Sequence, residues 1–408
     1  MSILIRNATL VTMADVPELG RIPTTLHGWQ RGDVLIQGGI IERVGDIGRN
    51  ASAVIEIDAR ERVVMPGFVD CHTHACFAGE RVNEWDERRR GVEYLEILRR
   101  GGGIMSTVRA VRRATRAQLA DALLERLRIM LREGTTTVEV KSGYGLTTAD
   151  ELKMLGAIGD AASRWPGTIV ATALIGHAID AEQPDFVRRT IDETLPAVHA
   201  AHPSVTIDAY CEKGAWSVDE CVELFQKAVA LGHPMRVHAD QFNSLGMVNH
   251  ALRLGARSID HLEASGDEDL AAIGRAATIG VGLPACVLHG LTNGGTLQAA
   301  KLGRVLDAGG RVAIASNLNP GSSPTSSMPL IVALATRFCG LEPIEAIRGA
   351  TRTAAEVLAL RDRGVLAEGM RADVCMLRHT DPRMLAHDMG GNPVELVVCN
   401  GAIVAGTA

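Results

Sequence analysis

Short apolar runs alternate with amphipathic segments through the middle of the chain. The runs have the length of buried strands, and the segments between them, each ~10–15 residues long, have apolar residues at helical spacing. The predicted strands are residues 63–70, 135–140, 168–175, 205–211, 235–237, 258–260, 279–283 and 311–315. The predicted helices are residues 118–132, 149–163, 185–200, 218–231, 246–254, 267–276 and 297–307. This alternation is typical of an α/β protein.

The two ends of the chain have a different pattern. Segments there alternate apolar and polar positions and are predicted strands: residues 2–11, 32–37, 40–44, 373–377 and, as strands around Gly401, residues 395–404. Gly38 and Gly39, between the second and third of these, are typical of a hairpin turn. No helical periodicity occurs before residue 62, so both ends are predicted to be rich in β-structure.

Eight strand–helix units in ~300 residues fit a TIM-type (β/α)8 barrel, although a doubly wound open sheet has the same alternation. The polar residues distinguish the two folds, because they follow nearly all of the predicted strands. These residues are His72 and His74, residues 141–144, His177, Glu212, His238 and Asp240, Asp260 and His261, and residues 317–321. A closed barrel brings such strand ends to one mouth, whereas an open sheet separates them by ~4.8 Å per strand. We therefore predict the barrel.

The composition is that of an ordinary globular protein. The 408 residues are 46% hydrophobic and 22% charged, with a formal net charge of −6, so the basic excess that nucleic-acid binding requires is absent. Eight cysteines occur without a Cys-x-x-Cys pair and are interpreted as reduced thiols of a cytoplasmic protein. No uncharged apolar run approaches ~18 residues, and the N-terminus lacks a signal-peptide pattern. We expect neither a nucleic-acid nor a membrane partner.

The segment 66–74 carries the clearest candidate chemistry. Its apolar run ends in Asp70 and is followed by His72 and His74. Residues two apart in an extended chain face the same side, so both imidazoles can bind one metal ion. His238, at the end of the predicted fifth strand, is a third candidate ligand, and imidazole suits zinc or iron. Two more histidines at strand ends are candidate ligands, proton carriers or substrate contacts: His177 and His261.

The segment Gly67-Phe-Val-Asp-Cys-His-Thr-His74, with the three later histidines, resembles the amidohydrolase superfamily of metal-dependent hydrolases. Further segments are similar to the imidazolonepropionase family within it: Phe77-Ala-Gly-Glu-Arg81, Tyr94-Leu-Glu-Ile97, Gly101-Gly-Gly-Ile104, Lys141-Ser-Gly-Tyr-Gly-Leu146, His238-Ala-Asp-Gln241, Asn319-Pro-Gly-Ser322 and Gly390-Gly-Asn-Pro-Val-Glu395. The similarity covers nearly the whole chain.

The resemblance implies a distorted (β/α)8 barrel, residues 63–365, beside a small β-sandwich from both chain ends, residues 1–62 and 366–408. It implies one zinc or iron ion per chain, held by His72, His74 and His238. It also implies substrate contacts from Arg81, Tyr94, Tyr144, His177, Gln241, Asn319, Gly321 and Ser322. An apolar C-terminal strand and the habit of the family suggest a homodimer.

The reaction implied by the resemblance is the hydrolysis of an amide-type C–N bond in 4-imidazolone-5-propanoate, which opens the ring to N-formimidoyl-L-glutamate. The metal would lower the pKa of its water toward ~7 and polarise the attacked centre. Arg81 would pair with the propionate carboxylate and Gln241 would bond the ring. His261 would share the proton transfer or orient the nucleophile.

The sequence departs from the family pattern after the last strand. The family has an aspartate there as metal ligand and proton acceptor, but this chain has Asn317. An amide offers a metal its carbonyl oxygen but accepts no proton at neutral pH. Three explanations follow: an inactivating substitution of a natural Asp, a natural enzyme that combines Asn317 with His261 as base, or a catalytically silent barrel that binds metal and ligand. We favour the first, because the surrounding motif is intact.

Two further departures concern the ring that the site accepts. Leu174-Ile-Gly-His177 replaces the usual Leu-Gly-Ala-His of the family, and Cys286-Val-Leu-His289 follows the predicted seventh strand. They leave open a related substrate, a hydantoin or thiohydantoin with the same propionate tail. Hydrolysis of a thiocarbonyl in such a ring would release sulfide.

Overall fold

The computed structural model describes residues 2–25, 28–92, 96–97, 100–289, 292–293 and 296–406. Its strands, in chain order, are β1 (Ser2–Leu10), β2 (Gln30–Gln37), β3 (Ile40–Gly45), β4 (Ile55–Asp58), β5 (Val63–Pro66), β6 (Phe68–Asp70), β7 (Thr135–Lys141), β8 (Thr168–Gly176), β9 (Thr206–Cys211), β10 (Val237–Ala239), β11 (Ser258–His261), β12 (Ile279–Gly282), β13 (Thr292–Asn293), β14 (Thr296–Leu297), β15 (Val312–Ile314), β16 (Val374–Leu377), β17 (Val394–Cys399) and β18 (Ala402–Ala405).

The described helices are α1 (Val82–Arg89), α2 (Ile104–Arg113), α3 (Arg116–Arg132), α4 (Thr148–Ala162), α5 (Phe186–Arg189), α6 (Leu195–Ala201), α7 (Val218–Ala230), α8 (Met247–Arg253), α9 (Asp267–Gly274), α10 (Leu302–Asp307), α11 (Met328–Phe338), α12 (Pro343–Gly349), α13 (Arg352–Val357) and α14 (Met384–His387). A π-helical segment, Thr190–Thr194, joins α5 to α6, and a 3₁₀ helix covers Pro284–His289. None of the described helices combines the length and apolar character needed to cross a membrane.

Eight parallel strands from the middle of the chain form one sheet, in the order β15-β12-β11-β10-β9-β8-β7-β6. Its two ends approach each other at the mouth, where the backbone N–H of Asn317 donates to the carbonyl of His72 at 3.0 Å. The N–H of Ser316 likewise donates to Asp70 at 3.1 Å. The carboxyl ends of the strands therefore surround one opening, and the predicted (β/α)8 barrel is confirmed.

Local sequence explains how the outer helices begin and which face they bury. Before α3, the Thr115 side chain accepts from the Gln118 N–H, and the Gln118 side chain accepts from the Thr115 N–H. This reciprocal capping box satisfies two N–H groups that the first helical turn leaves without partners. The buried residues of α3 recur every three or four positions, so one face packs on the barrel: Leu119, Leu123, Leu127 and Met130.

The two chain ends form a second sheet, in the order β18-β17-β16-β5-β1-β2-β3, with β4 beside β1. The sheet curls so that its two halves meet, because the Ala372 N–H donates to the Gly39 carbonyl at 2.9 Å and the Gly401 N–H donates to the Ala372 carbonyl at 3.0 Å. Its buried interior is aliphatic and includes Ile3, Ile5, Val34, Ile36 and Val374. The predicted separate β-structure from both chain ends is confirmed.

The predicted strand 63–70 is wrong as a single strand. Residues Val63–Pro66 pair with β1 and β16 in the terminal sheet, whereas Phe68–Asp70 pairs with β7 in the barrel. Gly67 separates them, and a Cβ there would collide with the side chain of Thr136. The apolar run is continuous because both halves are buried, so periodicity does not reveal that the strand changes sheets.

Two other boundaries were also wrong. The fifth barrel strand is Val237–Ala239 and not 235–237, so His238 lies within the strand. The helix predicted for 297–307 begins at Leu302, because Leu297 belongs to a short hairpin with Thr292. Helix α11 was missed, since all but one of its first eight residues are buried and the segment resembles a continuous apolar run.

Candidate active site

His72, His74 and His238 meet at the mouth of the barrel. Their ring centroids lie 4.5 to 5.3 Å apart, and their exposures are 0%, 4% and 2%. The Nε2 atoms of His74 and His238 are 3.3 Å apart, which is the spacing of two nitrogens bound at ~2.05 Å to one tetrahedral ion. The Nε2 of His72 is buried without a hydrogen-bond partner among the described residues. This donor set fits a zinc or iron ion.

The three imidazoles are held in their neutral form. Burial lowers the pKa of His72, His74 and His238 below the ordinary histidine value, and for His72 the nearby Lys141 charge lowers it further. Neutral imidazole is the form that binds a metal, so no proton has to leave these rings at neutral pH.

A buried carboxylate orients His72. The Nδ1 of His72 lies 2.6 Å from Asp260 Oδ2, and Arg236 donates to the same oxygen at 2.5 Å. A carboxylate accepts only, so Nδ1 carries the proton and Nε2 faces the centre. Arg236 also donates to the Cys71 carbonyl at 2.7 Å, which fixes the backbone next to His72.

A second carboxylate orients His238. Its Nδ1 lies 3.1 Å from Asp208 Oδ1, and Lys141 donates to Asp208 at 2.8 Å and to Glu139 at 2.7 Å. Burial would raise the pKa of Asp208, but His238 and Lys141 outweigh burial and hold it well below its usual value. Sequence reasoning missed Asp208, Glu139 and Arg236, and it named Asp260 only as a polar residue at a strand end. Charged residues inside otherwise apolar strands were the available signal.

Asn317 lies next to His72, because its backbone N–H donates to the His72 carbonyl at 3.0 Å. Its backbone is in the left-handed region, with φ of 53°, and its Nδ2 donates to Cys286 Sγ at 3.1 Å. The opposite atom, Oδ1, is buried without a hydrogen-bond partner in the described part of the chain. Burial raises the pKa of the Cys286 thiol far above neutrality. The amide can therefore offer an oxygen ligand, while Cys286 stays protonated.

His261 stands beside the three histidines, with its ring centroid 5.6 Å from that of His238 and 6.0 Å from that of His72. Its Nδ1 lies 3.2 Å from Glu263 Oε1, and the Glu263 side chain is only 7% exposed. Sequence reasoning missed Glu263. Glu263 lies two residues after His261, where the backbone has already left the strand conformation, with φ of 87° at His261. No strand or helix period therefore predicts the contact between the two side chains.

Two predicted substrate contacts, His177 and Tyr144, lie beside His74. The His177 ring stacks on it, with centroids 4.9 Å apart and planes 21° apart. The buried Tyr144 ring lies 5.1 Å from His177. His177 Nδ1 is 2.9 Å from the Gly143 carbonyl, so its proton is placed on Nδ1 and Nε2 remains an acceptor. Burial lowers the pKa of His177 to about 3, so the ring is neutral.

The loop after β15 meets Arg81. Gly321 lies so close to the Arg81 guanidinium that a Cβ would collide with it, and Arg81 Nε donates to Glu84 at 2.7 Å. Asn319 Oδ1 accepts from the N–H groups of Gly321 and Ser322 at 2.8 and 2.7 Å, and its Nδ2 donates to the Asn317 carbonyl at 2.7 Å. The Asn319 side chain thus shapes this turn.

Gln241 lies on the loop after β10. The Tyr210 hydroxyl donates to its Oε1 at 2.8 Å. Glu212 accepts from the next two N–H groups, of Phe242 and Asn243, at 2.8 and 3.2 Å, so the backbone beside Gln241 is fixed. Of the remaining predictions, Tyr94 lies outside the described residues, and so does the side chain of His289.

Comparison with known proteins gives a family and a fold. The model of the amidohydrolase family matches residues 63–404. A curated imidazolonepropionase from Herpetosiphon aurantiacus is 41% identical over 97% of this chain and 95% of its own length. Another from Deinococcus radiodurans is 40% identical over 96% of this chain and 97% of its own.

Solved structures have the same fold at lower identity. The 5-methylcytosine deaminase from Klebsiella pneumoniae, liganded with 5-fluorocytosine, has a TM-score of 0.75 and 17% identity over 100% of this chain and 98% of its own. The N-isopropylammelide isopropylaminohydrolase from Burkholderia multivorans has a TM-score of 0.70 and 19% identity over 99% of this chain and 98% of its own length.

Proposed function

This chain belongs to the amidohydrolase family, and we propose that it opens the ring of 4-imidazolone-5-propanoate by metal-dependent hydrolysis to N-formimidoyl-L-glutamate. The observation that carries this proposal is the meeting of three neutral imidazoles at the mouth of the barrel, beside a loop in which Asn317 Oδ1 is buried without a hydrogen-bond partner among the described residues. The curated relatives at 40% and 41% identity support the choice of substrate.

We assign the metal to His72, His74, His238 and the amide oxygen of Asn317. A zinc or iron ion bound there would act as a Lewis acid and lower the pKa of a water molecule toward ~7. The buried acids Asp208 and Asp260 hold two of these rings by their outer nitrogens, which keeps the inner nitrogens aimed at the ion.

The substrate is proposed to lie between the three histidines and the loop after β15. Arg81 would pair with the propionate carboxylate, because a guanidinium matches a carboxylate in a two-point contact. His177 and Tyr144 would bound the ring on the side of His74, and Gln241 would bond it from the opposite wall. Asn319 and Ser322 would hold the turn that brings Gly321 against Arg81.

His261 is proposed as the proton acceptor, since an amide at position 317 cannot serve. It would take a proton from the attacking water and return it to the leaving ring nitrogen. Glu263 would orient its ring and stabilise the imidazolium that forms, as a carboxylate does for a catalytic histidine. This contact leads us to adopt the second explanation for Asn317, a natural enzyme in which His261 is the base.

Turnover of the parent and of Asn317→Asp tests two proposals: the ring-opening reaction and the role of His261 as the base. We expect both metal-loaded proteins to consume the ring chromophore of imidazolone propionate and to release formimidoyl glutamate, at rates within about tenfold. An inert parent beside an active Asn317→Asp would contradict the base assignment and favour an inactivating substitution. If both remain inert on every ring tested while binding metal, the silent barrel is the better description.

A hydantoin or thiohydantoin propionate is the second candidate substrate. The observation that favours it is the neutral pair formed by Asn317 and Cys286, which keeps a negative charge out of the mouth and so admits the second carbonyl, or the thiocarbonyl, that these rings carry in place of the ring C–H of the imidazolone. Both rings belong in the same assay, with sulfide release as the readout for the thiohydantoin. A kcat/KM higher for either ring than for the imidazolone would replace our first choice.

We also propose that the protein is a cytoplasmic homodimer. All eight cysteines are buried and free, which suits a reducing compartment. Strand β18 lies at the edge of the terminal sheet with Ile403 and Val404 partly exposed, and such an edge can pair with a second copy. Light scattering coupled to size-exclusion chromatography tests the assembly, and a monomer would contradict it.

A further inference from the structure

The amide of Gln241 is held in one orientation by Tyr210. Tyr210 is paired with His238 across β9 and β10, and its hydroxyl donates to Gln241 Oε1 at 2.8 Å. Oε1 is the acceptor of a glutamine side chain, and Nε2 carries its two N–H donors. The bond to Tyr210 therefore occupies the acceptor and directs the donors elsewhere.

The pair lies on the wall of the mouth. The Tyr210 ring centroid is 6.0 Å from that of His238 and 6.4 Å from that of His261. Gln241 is half-buried, and within the described residues no hydrogen bond uses its Nε2. Because Glu212 fixes the backbone that follows, the Gln241 amide is held beside Tyr210 in a defined place.

We propose that Tyr210 is a positioning residue that makes Gln241 a hydrogen-bond donor only. A ring bound there must then present an acceptor to Gln241, such as a carbonyl oxygen, a thiocarbonyl sulfur or an unprotonated ring nitrogen. A ring that presents N–H at this point is rejected, because two donors would face each other without partners. The inference rests on the proposed function for the presence of a cyclic substrate in this mouth.

A double-mutant cycle on ligand binding tests the positioning role. The probe is hydantoin-5-propionate, titrated calorimetrically into zinc-loaded protein. We expect Tyr210→Phe to weaken binding about fivefold, as for the loss of one oriented hydrogen bond. In the Gln241→Ala background the same change has no further effect, since Tyr210 acts through Gln241. Equal costs of Tyr210→Phe in the two backgrounds would overturn the inference.

Gln241→Glu tests the donor claim itself. A glutamate keeps an oxygen for Tyr210 but turns an acceptor toward the ring, so we expect binding to weaken by more than about tenfold. Unchanged or tighter binding would overturn the inference, and so would a parent that does not bind the probe. Ser265→Ala is the matched control, because it removes a hydroxyl that supports Asp240 without touching Gln241, and we expect binding to be unchanged.

The readout keeps the two proposals apart. If the parent binds hydantoin-5-propionate but does not hydrolyse imidazolone propionate, the proposed function fails while the cycle is still measurable. A turnover series on whichever ring the parent hydrolyses adds a kinetic test, in which Tyr210→Phe raises KM more than it lowers kcat. A fall in kcat alone would contradict a role in ring orientation.

Discussion

Asp260 binds His72 and Arg236 through the same carboxylate oxygen, at 2.6 and 2.5 Å. The contact orients a proposed metal ligand and ties the first barrel strand to the fifth and sixth. All three side chains are buried. The proposed metal site therefore depends on buried charges below it.

Asp260→Asn should weaken metal binding by 10- to 100-fold, the usual cost of losing a carboxylate behind a ligating histidine. The substitution keeps the shape of the side chain but allows the His72 ring to adopt the wrong tautomer. Equilibrium dialysis against zinc measures the change. Asp307→Asn is the control, because Asp307 pairs with Arg21 while about half exposed. Equal affinities of the two variants would contradict the orienting role.

Lys141→Met should destabilise the fold by about 3–5 kcal/mol, because it removes the lysine shared by two buried acids: Asp208 loses its lysine partner, and Glu139 keeps only Arg236, at 3.3 Å. Chemical denaturation gives the free energy of unfolding. Lys227 offers a matched comparison, since it also bridges two acids, Asp192 and Glu223, but is 44% exposed. For Lys227→Met the loss should be about 0–1 kcal/mol. Similar losses at both lysines would show that burial does not decide the energetics here.

Gly321→Ala should impair recognition of the propionate tail. The added Cβ displaces the Arg81 guanidinium, so KM for imidazolone propionate should rise about tenfold, and a ring lacking the carboxylate should be little affected. Gly159→Ala is the control, since a Cβ there meets nothing within 4 Å and lies inside α4, where alanine is favoured. An unchanged KM for Gly321→Ala would remove Arg81 from the carboxylate site.

Asp70 should make the stability of the metal-free protein depend on pH. Burial raises the pKa of its carboxyl to about 7, so the folded chain binds this proton more tightly than the unfolded chain does. The resulting stability is present at low pH and is lost as the pH rises toward about 7. The Asp70→Asn variant has no carboxyl at this position, so its stability lacks this contribution to the pH dependence.

The free energy of unfolding of both proteins, measured between pH 4 and 8 with a chelator present, checks the direction of this pH dependence. The free energy of the parent relative to Asp70→Asn should fall by up to about 1.4 kcal/mol per pH unit and then level off. A constant difference across this range would show that the Asp70 carboxyl has an ordinary pKa in the fold.

The barrel and the meeting of three histidines could be predicted from the sequence, because both follow from local periods. His72 and His74 share a face by their spacing, and His238 reaches them wherever parallel strands close into a ring. The contact between Asp260 and Arg236 could not be predicted, since it depends on which strands are neighbours and on how deep each charge lies. An isolated charge in an apolar run gives no indication of its partner.

The same limit applies to Glu263 and Tyr210. Each acts on a residue near a strand end, His261 or Gln241, through a loop conformation that no hydrophobic pattern encodes. The positive φ at His261 and Asn317 turns those side chains in directions that strand periodicity does not give. Sequence reasoning thus located the mouth and several of its residues but not the contacts that orient them.

The pairing of Val64 with Met376 bears on the order in which the protein matures during synthesis. The strand that leads into the histidine pair, β5, has β16 as one of its two neighbours, so that ladder forms only after residues 374–377 have been synthesised. Nascent chains that end before residue 374 should therefore hold β5 through its pairing with β1 alone. Full anchoring of the segment that carries His72 and His74 is in this way delayed until β16 has been made.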